Sequence, residues 1–253
     1  MIKFFRKIRY NLIEKNKTGK YFKYAIGEII LVVIGILIAL SINNRNELRK
    51  AKIKEDVLYQ NILIDLDNEE KLLNNTLVYY KEHSDSYYHI YNETIGKARH
   101  DSTSLRYNNL RWHIIFDLIV TNKHKIAISE ISSNNITELL IEKANREVSV
   151  SQANQSFNDY KNETMIPFFI RHGIYDSKAV FESEKYNFSP LVQNNFIRYD
   201  RLKSQYENVE FTQLLVELRI RTSWAIFNLE DLIKKNNEIS MTLEQELKKI
   251  TKG

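Results

Sequence analysis

Between Ala25 and Ile42 the chain reads AIGEIILVVIGILIALSI, an apolar run broken by one charge, Glu28. A helix of about 20 residues spans the hydrocarbon of a bilayer, and residues 24–43 meet that length. Such a run cannot be a surface helix of a water-soluble domain, because it is apolar on every face. Tyr21, Phe22 and Tyr24 sit where an interfacial aromatic belt would lie. A cleaved signal peptide is the rival reading, with Ala39 and Ser41 as its small-x-small site. The stretch is longer than the usual signal core and follows a 23-residue lead, so a retained anchor is the better reading.

Charge fixes the expected orientation. Residues 1–54 hold thirteen Lys and Arg against three acids, +10, within a chain whose formal charge is +5, so the other 199 residues carry −5. Positive charge flanking an apolar run implies anionic lipid headgroups as the partner, and no nucleic acid. Eight Lys and Arg precede the run. Five follow it within residues 43–60, diluted by Glu47, Glu55 and Asp56. The expectation is a bacterial inner-membrane protein with a cytoplasmic N-terminus and a periplasmic C-terminal domain.

Three segments follow from this reading. Residues 1–23 place Ile2, Phe5, Ile8 and Leu12 at helical spacing, with Lys3, Arg6, Lys7 and Arg9 off that line. That pattern is a basic amphipathic helix lying at the interface. Residues 24–43 are the transmembrane helix. Residues 44–253 are a helical bundle. The fold class expected is all-α, with the anchor helix running on to about Asn92. Inside the anchor, Gly27, Leu31, Gly35 and Ala39 share a ridge on which small residues would let a second helix approach, hence an expected homo-oligomer or envelope partner. Glu28 in that helix is an ion-path candidate, or a charge placed near a helix N-terminus where the dipole favours it.

The opening MIKFFRKIR, followed by YAIGEIILVVIGILIALSINN, resembles an uncharacterised family of small single-pass membrane proteins from Bacteroidota. The resemblance covers about residues 1–47. Members tend to read INNWNE where this chain has Ile42-Asn43-Asn44-Arg45-Asn46-Glu47, so Arg45 replaces an outer-interface tryptophan. What the resemblance implies is a bacterial source and an inner-membrane address. It implies no reaction, ligand or catalytic residue.

In the body, Ile62, Leu66, Leu73, Leu77, Tyr80, Tyr87 and Tyr91 keep helical steps. GKARHDSTS (96–104) reads as a loop, 105–121 as a helix, and 122–134 as polar punctuation. Residues 136–166 read as a helix that Pro167 ends or kinks. Residues 171–190 read as irregular and 191–206 as a further helix. The clearest element is the last. Leu215, Leu218, Thr222, Ala225, Leu229, Leu232, Asn236, Ile239, Leu243 and Glu246 alternate steps of 3 and 4, a heptad seam with Asn236 set to fix register.

Chemistry is sparse. The absence of cysteine excludes disulfides, thiolate metal sites and a Cys nucleophile. No two of the six glycines lie closer than eight residues, which excludes a phosphate loop, a dinucleotide fingerprint and a nucleophile elbow. Asp65, Asp67 and Glu69 mimic the start of a calcium loop but lack its glycine. Glu82, His83, His89 and Glu93 form the best metal-like group, with only His89 and Glu93 on one face. No catalytic residue, cofactor site or metal site is assigned. Two aromatic groups remain as candidate partner surfaces: Tyr80, Tyr87 and Tyr91, and Phe168, Phe169 and Tyr175. The function expected is a non-enzymatic interaction or assembly protein of the cell envelope. The alternative is a periplasmic ligand sensor that signals through a separate partner.

Overall fold

The computed structural model describes residues 18–118, 120–182 and 195–250. The interfacial helix expected over residues 1–23 therefore lies, up to residue 17, outside the described residues, as do residues 191–194 of the helix expected over 191–206. Seven α-helices follow in order among the described residues: α1 Thr18–Thr94, α2 Val120–Ile128, α3 Asn134–Tyr160, α4 Ile166–Arg171, α5 Ser177–Phe181, α6 Tyr199–Lys203 and α7 Val209–Ile250. Among them no strand forms beyond a single antiparallel bridge between Tyr175 and Ile197. The chain is all-α, as its periodicity requires. By contacts it divides into two units, residues 1–57 and 58–253.

In the first unit the described chain is helix throughout. It is the one stretch among the described residues long and apolar enough to cross a membrane, and none of its apolar window is buried. Ile29, Leu31, Leu37 and Ile42 each expose over three-fifths of their surface.

The second unit is a bundle of residues 58–94 of α1 with α3 and α7. Cross-helix pairs fix its directions. Glu69 of α1 meets Lys143 of α3, and Tyr80 meets Asn154, so numbers rise together and these helices are parallel. Asn236 of α7 meets Glu69 and Arg219 meets Ser84, so α7 runs antiparallel to them. The α7 seam from Leu215 to Leu243 is buried at every position, Thr222 and Asn236 included. It closes within the chain, where a single apolar seam finds its commonest partners.

Two glycines end helices as C-caps. Gly96 has φ +71° and Gly173 φ +60°, the left-handed region that a Cβ disfavours. At each, the following residue's N–H reaches back to the first carbonyl left over by the helix: Lys97 to Asn92 at 2.8 Å, Ile174 to Phe169 at 3.0 Å. Pro167 kinks rather than ends its helix. Residues Lys161–Met165 widen into a π-turn that opens room for the proline ring, and α4 continues from it.

One expected helix is wrong. Residues 105–118 form a 3-10 turn, Leu105–Leu110, and then a run to Leu118 without regular secondary structure. The buried Tyr107, Leu110 and Ile114 have helical spacing, but α3 supplies a competing set of hydrogen bonds. Asn158 receives the Ile114 N–H at 3.2 Å and donates to the Ile114 carbonyl at 2.8 Å, as a neighbouring strand would. Lys161 donates to the carbonyls of Asn109, at 2.7 Å, and Trp112. Backbone polar groups must be satisfied somewhere, and these side chains offer an alternative to the helix. The polar punctuation expected over 122–134 is largely α2. Of the helix expected over 191–206, only α6 forms among the described residues, since Ile197 is held by its bridge.

Candidate functional site

The buried face of α1 alternates steps of 3 and 4 through Tyr59, Ile62, Leu66, Glu69, Leu73, Thr76, Tyr80, His83, Tyr87 and Ile90. Tyr80 and Tyr87, read from sequence as a partner surface, are therefore core residues. Their hydroxyls are spent inside the bundle, on Asn154 Oδ1 at 2.7 Å and on the Asn109 carbonyl at 3.0 Å. Burial raises both phenol pKa values. Phe168 and Phe169 are likewise buried, Phe168 stacked on Phe211 at 5.8 Å. Tyr175 is half-buried, its ring edge-on to Phe169 at 5.6 Å. Of the six, Tyr91 is the one that stays exposed.

Tyr91 leads to a surface that the sequence reading missed. With Tyr88, and with Leu215, Val216, Arg219 and Ile220 of α7, it lines a shallow groove of about 330 Å³. Arg219 is pinned there, donating to Ser84 Oγ at 2.7 Å and lying 5.8 Å over the Tyr88 ring. Val216, Ile220, Trp224 and Phe227 follow at steps of 4, 4 and 3 and are all exposed. The helix α7 therefore has two apolar faces, one in the core and one outside. The second carries no polar counterpart to hide it in the heptad pattern, so the signal was present at 216–227 beneath the stronger seam.

Among the described residues, three of the bundle's buried polar centres join its elements. In the first, Lys143 is fully enclosed, 2.8 Å from Glu69 Oε2 and paired with Glu147, and Asn236 Nδ2 donates to the same Glu69 oxygen at 2.8 Å. Among the described residues Glu69 Oε1 and Asn236 Oδ1 find no hydrogen-bond partner. The second joins His83 to Lys161. Burial first, and the neighbouring Lys161 second, push the His83 imidazole down to about 3. Burial likewise holds Lys161 well below the usual ammonium range, with its Nζ 4.3 Å from the Phe157 ring. Lys161 binds the Asn109 carbonyl of the 3-10 turn and the Trp112 carbonyl of the run that follows, and these contacts make it a brace.

The third centre surrounds Glu93, whose side chain is 2% exposed. Oε1 accepts from the Tyr107 hydroxyl at 2.9 Å and meets His89 Nε2 at 3.1 Å. Oε2 accepts from Tyr206 at 2.6 Å and from Tyr199 at 3.5 Å. The phenol pKa values of Tyr107, Tyr199 and Tyr206 all rise, through burial first and the carboxylate beside them. The sequence paired His89 with Glu93 by spacing alone. It gave no sign of the tyrosines, which arrive from the 3-10 turn, from α6 and from the turn after α6, up to 113 residues away.

The remaining sequence candidates separate. Asp65 faces Lys123 at 2.7 Å and His124 at 2.6 Å; burial raises its carboxyl, but these two bonds outweigh that and lower it. Asp67 pairs with Lys71 on the surface. With Glu69 in the core, the calcium-like triplet has three different partners and forms no loop. Among the described residues no three His, Asp or Glu side chains gather as a metal group. In the first unit, a Cβ built on Gly27 or Gly35 would meet nothing within 4 Å, so the chain itself makes no use of that ridge. Ala39 on the same ridge is exposed and Glu28 half-buried.

The comparisons with known proteins bear on α1. A sequence profile described as Family of unknown function (DUF6090) matches residues 28–97, under a third of the chain. The match begins within the apolar run and ends one residue past the Gly96 cap. It thus extends well beyond residues 28–47, where it overlaps the N-terminal resemblance. Comparisons with curated proteins and with solved structures return no match.

Proposed function

We propose that this is a membrane-anchored, non-enzymatic interaction or assembly protein of the bacterial cell envelope, of the single-pass type that its N-terminal wording resembles in Bacteroidota. The apolar run holds the inner membrane, the basic flank lies on the cytoplasmic leaflet, and the bundle stands in the periplasm. The observation that carries the reading is the run itself. An apolar helix with no side-chain cover has no stable place in water, since each exposed Leu or Ile forgoes about 1.5–3 kcal/mol of burial.

The surface offered to a partner is the outer face of α7 with Tyr88 and Tyr91. It suits the apolar stripe of a partner's helix laid into the groove. Arg219 at its edge would set the orientation. Purification in mild detergent after cross-linking should bring down a stoichiometric protein, and Ile220→Asp should release it. A lone monodisperse chain sinks the reading. An alkaline-phosphatase fusion at the C-terminus should be active; an inactive fusion inverts the orientation.

One observation favours the alternative, a ligand sensor. A cleft of about 550 Å³ opens between α2 and α3, lined among others by Asn122, Lys125, Leu140, Gln152 and Gln155. That is room for a small molecule. A compound that raises the melting temperature in wild type but not in a Gln152→Leu variant would establish it.

A further inference from the structure

The cleft between α2 and α3 has walls of opposite charge. Along α3 it follows one helix face, through Leu140, Ala144, Glu147, Val148 and Ser151. Along α2 it follows Thr121, Lys125 and Ile128, again one face. Glu147 is nearly enclosed, with 11% of its side chain exposed. Lys143 beside it is fully enclosed and serves two carboxylates, Glu147 and Glu69. That group therefore holds one formal negative charge in excess, and a buried charge without a counter-charge is costly. Glu147 lines the cleft and Glu69 does not, so Glu147 is where a cation from outside can reach the group. On the other wall Lys125 is exposed and forms no ion pair among the described residues. In the same wall the Thr121 hydroxyl oxygen is buried with no hydrogen-bond partner among the described residues. Ile141 and Val148 also line the cleft, and each exposes over half of its surface.

We propose that this cleft binds a small zwitterion, an α-amino acid with an apolar side chain. The ligand's ammonium pairs with Glu147 and cancels the excess charge of the group behind it. Its carboxylate takes Lys125, whose flexible stem lets the charge follow the ligand. Its side chain covers Ile141 and Val148, and the Thr121 hydroxyl gains the partner that it lacks. Charge decides the class. A plain carboxylic acid brings like charge to Glu147, a diamine brings like charge to Lys125, and a neutral apolar molecule leaves the excess where it is. The cleft, about 550 Å³, has room for a molecule of this size with some water. Binding of this class presupposes that the cleft is a ligand site at all, which is the sensor reading above, and adds the chemistry of the ligand to it.

The test uses the full chain in mild detergent and three probes built on one skeleton. These are L-leucine, 3-methylbutylamine, which lacks the carboxylate, and 4-methylpentanoate, which lacks the ammonium. In calorimetric titrations L-leucine should saturate at about one per chain, with the acid weaker by about tenfold or more. Glu147→Gln removes the excess charge and leaves Lys143 its Glu69 partner, so the bundle should keep its helical circular dichroism while L-leucine weakens by about tenfold or more. Lys125→Gln, an exposed change, should weaken L-leucine and leave the amine unchanged, a split that a structural role alone would not give. No saturable binding of L-leucine overturns the proposal, as does binding that is unaltered in Glu147→Gln. Binding of the acid alone, removed by Gln152→Leu, keeps the cleft as a ligand site and overturns the ammonium pairing. None of these results depends on the partner pull-down.

Discussion

Residues 25–42 and residues 58–94 belong to one continuous helix, yet their side-chain chemistry is reversed. In the first stretch aliphatic side chains cover every face and stay exposed. In the second the inward seam takes up Glu69, Thr76 and His83 at seven-residue intervals among Leu and Tyr. Regular backbone hydrogen bonding is common to both, so it cannot account for the difference. What separates them is the surroundings each has been fitted to. One stretch has no use for a packed protein interior, and the other carries polar groups that only a particular interior can satisfy.

That contrast can be broken deliberately. The largest effect is expected at Lys143. Replacing it with Met strands Glu69 and Glu147 without a cation, a loss of about 3–5 kcal/mol seen as a lower denaturant midpoint of the bundle. A triple change that also replaces Glu69 and Glu147 with Leu should recover most of that loss. If Lys143→Met alone is silent, the centre is not the electrostatic unit described. Next comes Leu229→Ala, which empties a fully buried seam position and should cost about 2–5 kcal/mol. Leu37→Ala, a larger-to-smaller change of the same kind at an exposed position, should leave the bundle's midpoint where it is.

A third, smaller effect is in pH. The unfolded His83 takes up a proton near 6.5, while the folded one stays neutral until about 3. Its contribution is therefore whole above about pH 6.5 and shrinks as pH falls. Between pH 7 and 5 the bundle should lose about 2 kcal/mol in urea titrations, and His83→Leu should flatten that slope. The smallest effect on stability is expected at Ile220→Asp on the outer face, within about 0.5 kcal/mol, with its consequence confined to partner capture.

The bundle's two long faces could be read directly. The α7 seam from Leu215 to Leu243, the α1 periodicity and the Gly96 stop rest on local spacing and on backbone rules, which neighbours rarely override. The aromatic surfaces could not be read. Tyr80 and Tyr91 are both tyrosines on one helix and, eleven positions apart, lie within about 20° of the same face, yet one is buried and the other exposed; neither composition nor spacing separates a core tyrosine from one beyond the reach of its neighbours. The 105–121 stretch failed for another reason. Its apolar spacing was helical, and the decision rested with Asn158 and Lys161, more than forty residues away, which take over its backbone bonds.

The amino-acid order by itself determined that the chain is helical, that one stretch is too apolar for water, and where the principal seam runs. These follow from periodicity and transfer free energy, which depend on neighbours along the chain. Tertiary structure alone decided which polar residues meet. Glu69 with Lys143 and Asn236, and Glu93 with Tyr107, Tyr199 and Tyr206, are assembled by the parallel and antiparallel register of α1, α3 and α7 and by the turns between them. A buried charge fixes its partners through distance in space, and distance in space is not written in sequence separation.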